Sequence, residues 1–533
     1  MASPKNPEPY RENWATKIGV ILAVAGSAVG LGNFLRFPGV AVQNGGGAFM
    51  IPYFIAFLLV GIPICWAEWI MGRRAGRLSG LSSSPGIFGV LTQGNTMRFV
   101  GALGLFIPVV IYMYYVYVES WCLAFSFFMA NGDLMLQEAG RGAYAQFFEE
   151  YSRQSQSHEY FSTIFFSYTF FLATFFINFY FIYRGLSRGI ELFCRFAMPA
   201  LILMAIILAV RVATLGTPDP AHPEQNIFNG LGYLWNPDWS ALADAEVWIN
   251  ACGQIFFSLS VGFGIIITYA SYLSKKDDVV LSGLTASSMN EFCEVCLGSL
   301  IVIPAAFVML GTAQMESVAD AGTFSLAFVV MPQIFGEMPG GQLFGAMFFF
   351  LLFLAGVTSS LSMLQPAIAF LEEGFGLNRK SSVAILGLIT FMGSNAIIFA
   401  PGLTAMDTVD KYTNNIGIPL LALFEVLIFI FILKVANGVK EASYGADMKL
   451  PKVFQYVIYV SPVFLIMILG WWVKQQFDLF YDPSTPPFNN VQVVAILAMI
   501  AFLIMLGILQ SLAWPRMQRR YRTYQKVLED EES

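Results

Sequence analysis

Two stretches of this sequence place a Gly-x-Gly beside small polar residues within long apolar runs. They are Gly26-Ser27-Ala28-Val29-Gly30-Leu31-Gly32-Asn33 and Ser258-Leu259-Ser260-Val261-Gly262-Phe263-Gly264. Glycine costs about 1 kcal/mol in a helix interior, and backbone left unpaired in lipid costs several times that. A break at such a place persists only where the freed groups meet a ligand, an ion or another helix. Half-helix N-termini offer amides and a positive dipole to a carboxylate. Half-helix C-termini offer carbonyl oxygens to an ammonium group or an alkali cation. The polar side chains at hand (Asn33, Ser258, Ser260, Asn290, Thr358 and Ser359) are neutral oxygen donors. Such a set suits Na⁺ better than a proton, which needs a titratable acid. A transition metal would want imidazole or thiolate.

The remaining reactive residues offer little else. All six cysteines (Cys65, Cys122, Cys194, Cys252, Cys293 and Cys296) fall in apolar runs, so no disulfide framework is visible. Cys293-x-x-Cys296 reads as two small helix-packing residues, and the only histidines, His158 and His222, lie in loops. No nucleophile–base pair stands near the breaks, so an enzyme is disfavoured and no organic cofactor is expected. Hydrophobic residues make up 57% of the 533-residue chain and charged residues only 12%. A net charge of -6 offers no footprint for nucleic acid. Together these describe an all-α integral membrane protein.

A bilayer core of about 30 Å takes about 20 apolar residues per helix. Twelve spans are expected, over 16–43, 47–71, 98–128, 161–183, 189–214, 245–273, 280–312, 341–374, 380–400, 404–435, 452–474 and 490–514. They are numbered one to twelve below. Of the 29 lysines and arginines, only Arg141, Arg153, Arg211, Lys411 and Lys474 would lie outside, and Arg36 lies within a span. The positive-inside rule therefore puts both termini in the cytoplasm. The N-terminus has no apolar segment ahead of a cleavage site, so no processing is expected. Glycines alone can simply let helices pack closely. Breaks at matching places, spans one and six, instead point to a five-plus-five inverted repeat with a site at its centre. Residues 1–13 would then be a cytoplasmic segment and 14–435 the ten-helix core, with repeats over 14–214 and 245–435. Residues 436–514 would form two peripheral helices, and 515–533 a cytoplasmic tail.

These residues resemble the neurotransmitter:sodium symporter family. The likeness runs through Trp14-Ala15-Thr16, Gly26 to Pro38, Asn44-Gly45-Gly46-Gly47-Ala48-Phe49 and Tyr114 to Trp121. It resumes in Gln254 to Ser260, Ser282-Gly283-Leu284-Thr285 and Ala355-Gly356-Val357-Thr358-Ser359-Ser360. The resemblance implies a LeuT-type fold and two Na⁺ ions. One would be held by the Ala28 carbonyl, Asn33, Ser258 and Asn290, completed by the substrate's carboxylate. Ser258 stands where the family's bacterial branch has threonine. The other would be held by the Gly26, Val29 and Ala355 carbonyls with the Thr358 and Ser359 hydroxyls. Between them, the substrate carboxylate would meet the Leu31 and Gly32 amides and the Tyr115 hydroxyl. Its ammonium would meet carbonyls around Ala28, Phe257 and Ser260. Its side chain would face Ile111, Phe257, Ser260, Phe263, Ser359 and Met363. Gly30 is the family's diagnostic position: an Asp there marks amine transporters, so a glycine implies a substrate bringing its own carboxylate. A neutral, mostly hydrophobic L-amino acid is expected, carried by Na⁺-coupled symport.

By the same resemblance, Arg36 and Asp410 would form an outer gate above Tyr115 and Phe257. Arg11 and Glu373 would form an inner one near Trp14, Ser271 and Tyr272. Glu294, one turn beyond Asn290, would replace bound chloride. Glu68 reads as a structural group near the first break, and Glu119 as structural too. Expected partners are an amino acid and membrane lipid in a bacterial inner (plasma) membrane, with a homodimer left open. The competing readings are a proton-coupled amino-acid permease of the same fold, against which Thr358 and Ser359 argue, and a non-transporting amino-acid sensor. The tail after Trp514 is too short for a signalling domain.

Overall fold

The computed structural model describes residues 14, 16–94, 96–136, 140–155, 159–161, 164–217, 220–237, 239–311, 315, 323–481 and 488–532. Among these the fold is helical, with a single isolated bridge between Gly46 and Pro237. Ten helices are long and apolar enough to cross a membrane, from Gly47–Ser79 to Asn490–Lys526. An eleventh crossing is a pair, Ile18–Ala28 and Gly32–Gln43, bent by 43°. The expected span six is not among them. It is cut into Ala245–Leu259 and Ile265–Ser271, and the second piece is too short to cross alone. Against the twelve expected spans, the described residues supply ten whole helices and one bent pair of sufficient length and apolarity.

The two breaks have different local causes. Thr16 caps the first half-helix, its hydroxyl accepting the Gly19 amide at 2.9 Å. The helix stops at Ala28 and resumes through a wide π turn, Gly32–Arg36, that runs into Phe37–Gln43 with Pro38 in its first turn. Neither Gly30 nor Gly32 is left-handed; the first break needs glycine for space. In the sixth span Ser260, Gly262 and Gly264 have φ of 55°, 72° and 77°, so the chain turns through conformations that favour glycine. A second π turn, Phe292–Gly298, lies against the first, where a Cβ on Gly298 would overlap the Asn33 carbonyl. Wide turns of this kind recur at functional sites because they free backbone groups and re-aim side chains.

Burial falls away from this centre. The most apolar window of Gly341–Phe375 is 89% buried, that of Phe454–Phe477 is 28% and that of Asn490–Lys526 only 6%. Polar residues buried in the middle (Asn33, Glu68, Glu119, Ser258, Asn290, Glu294, Thr358) sit among the broken spans. Outside the spans, helices Arg141–Tyr151 and Ile227–Trp235 cover one end, and an aromatic cluster of Trp121, Phe125, Phe128, Phe147, Phe148 and Phe328 packs beneath the first. At the opposite end the Arg73 guanidinium is fully buried, donating to the Asp277, Tyr444 and Glu441 carbonyls. The Glu441 carboxylate beside it also receives Arg77 at 2.9 Å. The last helix continues to Glu532 and docks on the same end, through Arg516 on the Phe375 carbonyl and Gln525 on the Leu78 carbonyl. The residues expected to form a tail are therefore helical as far as they are described.

Candidate functional site

Span eight, Gly341–Phe375, meets the first break along one face. The Thr358 hydroxyl donates to the Ala355 carbonyl at 2.9 Å and the Val29 carbonyl at 3.3 Å. The Ser359 hydroxyl donates to the Gly26 and Ser27 carbonyls at 3.3 and 3.1 Å. Ser362 adds a contact of 2.6 Å to the Ser27 hydroxyl. The oxygens expected around one sodium thus fall into two neighbouring groups, Thr358 with the Val29 and Ala355 carbonyls and Ser359 with the Gly26 carbonyl, and none of them is charged or sulfur. A set of neutral carbonyl and hydroxyl oxygens fits a monovalent hard cation. Ser27 and Ser362 were not expected here; Ser362 stands three residues beyond Ser359 and Ser27 directly follows Gly26.

The other expected ion site is a chain of side chains across spans one, six and seven. Asn33 donates to the Asn290 side-chain oxygen at 2.8 Å, and Asn290 donates to the Ser258 hydroxyl at 2.6 Å. Asn33 in turn accepts the Gly30 amide at 2.8 Å, so this side chain ties the break closed from within. Behind the chain lies Glu294, fully buried, whose carboxylate accepts from Ser258, Gln254 and, at 3.4 Å, Asn290. Three donors facing one carboxylate make a pocket for negative charge directly behind the Ser258 hydroxyl. Gln254 was missed, although it stands one turn before Ser258.

Between these two groups of oxygen donors is a small cavity of about 20 Å³, walled by Ala28, Gly30, Gly32, Tyr115, Phe257, Ser258, Ser260, Phe263, Ser359 and Met363, with Ser27. A Cβ on Gly30 would overlap the Ser359 hydroxyl and stand 2.7 Å from the Tyr115 hydroxyl. The Leu31 amide donates to that Tyr115 hydroxyl at 3.0 Å. One expected wall is elsewhere: Ile111 is fully buried one turn from Tyr115 and does not line this cavity, whose tight closure leaves that depth filled. Leu31 faces the other way, into a wider vestibule of about 380 Å³ lined also by Arg36, Tyr114, Phe257, Asp407 and Asp410.

The gates differ from expectation. No ion pair joins Arg36 to Asp410 among the described residues. The Arg36 guanidinium lies over the Phe257 ring, 4.4 Å from its centre, while Asp410 accepts from Tyr114 and Asn414, each at 2.5 Å. Both line the vestibule, each on a separate partner. At the opposite end Arg11 lies outside the described residues. Glu373 is fully engaged elsewhere, accepting the Ser82 and Ser83 amides at 2.5 and 3.2 Å and the Ser83 hydroxyl at 2.6 Å. Its longer side chain reaches the N-terminus of helix Ser84–Leu91, where a carboxylate is favoured. Closure at this end runs instead from the Gln365 amide to the Tyr272 hydroxyl at 3.0 Å and from Arg379 to the Gln365 oxygen at 3.2 Å. The Trp14 indole donates to the Tyr269 carbonyl at 3.3 Å. Glu68 also has a partner other than the expected one: it accepts the Gly262 amide at 2.6 Å, in the sixth span's break rather than the first's.

Comparison with known proteins bears on the whole arrangement. The sequence model of the sodium:neurotransmitter symporter family matches residues 11–159 and 143–516. An uncharacterised sodium-dependent transporter of Methanocaldococcus jannaschii is 31% identical over 471 residues, covering 86% of this chain and 90% of the relative. The sodium-dependent serotonin transporter of Drosophila melanogaster is 28% identical, covering 86% and 76%. Among solved structures, MhsT in complex with L-phenylalanine matches with a TM-score of 0.73 and 28% identity, over 86% of this chain and 99% of that one.

Proposed function

The chain belongs to the sodium:neurotransmitter symporter family, and on that footing we propose that it carries neutral, mostly hydrophobic L-amino acids together with two Na⁺ ions, without chloride. The observation that supports this best is the space beside Gly30. With Ser359 and Tyr115 this close, an acidic side chain has no room, and the carboxylate that completes the Asn33–Ser258–Asn290 site must arrive with the substrate. The apolar walls Phe257, Phe263 and Met363 favour an uncharged side chain, and the similar MhsT was solved with L-phenylalanine.

The cycle follows from which elements each ligand joins. Sodium among the Gly26, Val29 and Ala355 carbonyls would tie span one to span eight. The amino acid would then lie across both breaks, its carboxylate shared with the other ion, so each ligand raises the other's affinity by the same factor. Glu294 would hold the negative charge that a chloride ion otherwise supplies. Both termini would be cytoplasmic, in a plasma membrane. Each Na⁺ contributes about 2.3 kcal/mol per 100 mV before its concentration gradient is counted, enough for uphill accumulation. In proteoliposomes, uptake of labelled L-phenylalanine or L-leucine should follow an inward Na⁺ gradient and persist when chloride is replaced by gluconate. Equal uptake of both from K⁺ and Na⁺ media would remove the reading.

A further inference from the structure

Segment 355–360 of span eight has two faces. Ala355, Thr358 and Ser359 point at the first break, whereas Gly356 and Ser360, four residues apart and so on one side of the helix, point away from it. The far side rests on two buried polar residues from other spans. Glu119 of span three is fully buried and packs against Gly356, where an added Cβ would stand 2.8 Å from the Glu119 Cγ. One Glu119 carboxyl oxygen accepts from the Asn178 amide of span four at 2.8 Å, and the other meets no donor among the described residues. The Asn178 oxygen accepts the Ser360 hydroxyl at 2.6 Å, and its amide also reaches the Thr174 carbonyl at 3.1 Å. The result is a line of hydrogen bonds, Ser360 to Asn178 to Glu119, fastened to the back of the turn that carries Thr358 and Ser359. A polar line of this kind in a bilayer interior is costly to leave incomplete, and glycine at 356 is what lets it sit so close to the helix.

We propose that Glu119 and Asn178 are positioning residues for the sodium site of Ala355, Thr358 and Ser359. They hold that turn of span eight at the depth and rotation where its oxygens face the Gly26 and Val29 carbonyls. Neither is among the expected ion ligands; Asn178 acts through Ser360, and Glu119 through Asn178 and its contact with Gly356. Removing a link lets the turn relax, and the two hydroxyls keep their own carbonyl partners rather than a shared cation. This inference rests on the sodium-coupled reading above.

The test uses the purified full-length protein in detergent, titrated with Na⁺ alone against constant K⁺, with thermal unfolding as readout. Glu119→Ala and Ser360→Ala should raise the half-saturating Na⁺ concentration roughly tenfold, equivalent to about 1.4 kcal/mol. Glu119→Gln, which keeps the acceptor and the volume, should stay within about twofold of the parent, whereas Glu119→Leu, which keeps the bulk without the acceptor, should shift as far as Glu119→Ala. Should Glu119→Ala fail to fold, Ser360→Ala carries the test. Parental Na⁺ midpoints in both alanine variants, or a Glu119→Gln midpoint shifted as far as theirs, would overturn the proposal while sodium coupling stands. A parent protein that Na⁺ does not stabilise at all would instead sink the sodium reading and this inference with it.

Discussion

An acidic side chain at position 30 would need room that Ser359 and Tyr115 already occupy. Gly30→Asp should therefore reduce amino-acid binding by roughly a hundredfold, about 2.7 kcal/mol, in equilibrium binding of labelled L-leucine or L-phenylalanine at saturating Na⁺. At the ion site, Thr358→Val keeps the shape and removes one oxygen. A roughly tenfold higher Na⁺ requirement for uptake is expected, with little change in the unfolding temperature measured in K⁺. Glu294→Ser should turn chloride from irrelevant to necessary, read as uptake in chloride against gluconate, because the Gln254, Ser258 and Asn290 donors would then lack their anion. Much at this scale was legible in the sequence. Neutral oxygen donors beside a glycine break restrict the ligand class whatever the packing, and several of them hydrogen-bond to one another across the spans. What was not legible was choice among partners. Glu373 has ordinary reach for an inner gate, yet two serine amides at a helix start hold its carboxylate.

For the helical elements, the two Gly-x-Gly motifs look alike as letters and work differently as backbone. Gly30 and Gly32 allow close approach, so an alanine at 32 would press on the Phe257 ring at 3.0 Å without backbone strain. Gly264 is left-handed at φ 77°, and its Cβ would stand 2.6 Å from the Gly104 carbonyl oxygen. Gly264→Ala should accordingly destabilise the folded protein by at least about 1–2 kcal/mol, seen as a lower unfolding temperature in detergent, whereas Gly32→Ala should mainly weaken binding. Hydropathy located both broken spans because composition survives a break, but it could not say that one uses space and the other torsion. Nor could it attach Glu68 to the Gly262 amide, a contact between residues separated by nearly two hundred positions.

For the molecule as a whole, the sequence disclosed an all-helical membrane fold with interruptions in spans one and six, and the asymmetry between buried and peripheral helices. It did not disclose which set of doors stands open. Arg36 rests on Phe257 and Asp410 on Tyr114 and Asn414, with the vestibule between them. The opposite end is drawn together by Tyr272, Gln365 and Arg379. Such differences are conformational, and one sequence encodes every state of its cycle. The last helix adds a mechanical corollary. By gripping Leu78 at the end of span two and Phe375 at the end of span eight, residues 516–525 join two separate crossings. An antibody fragment raised against that handle is thus expected to act as a brake on turnover while leaving ligand capture from the vestibule untouched.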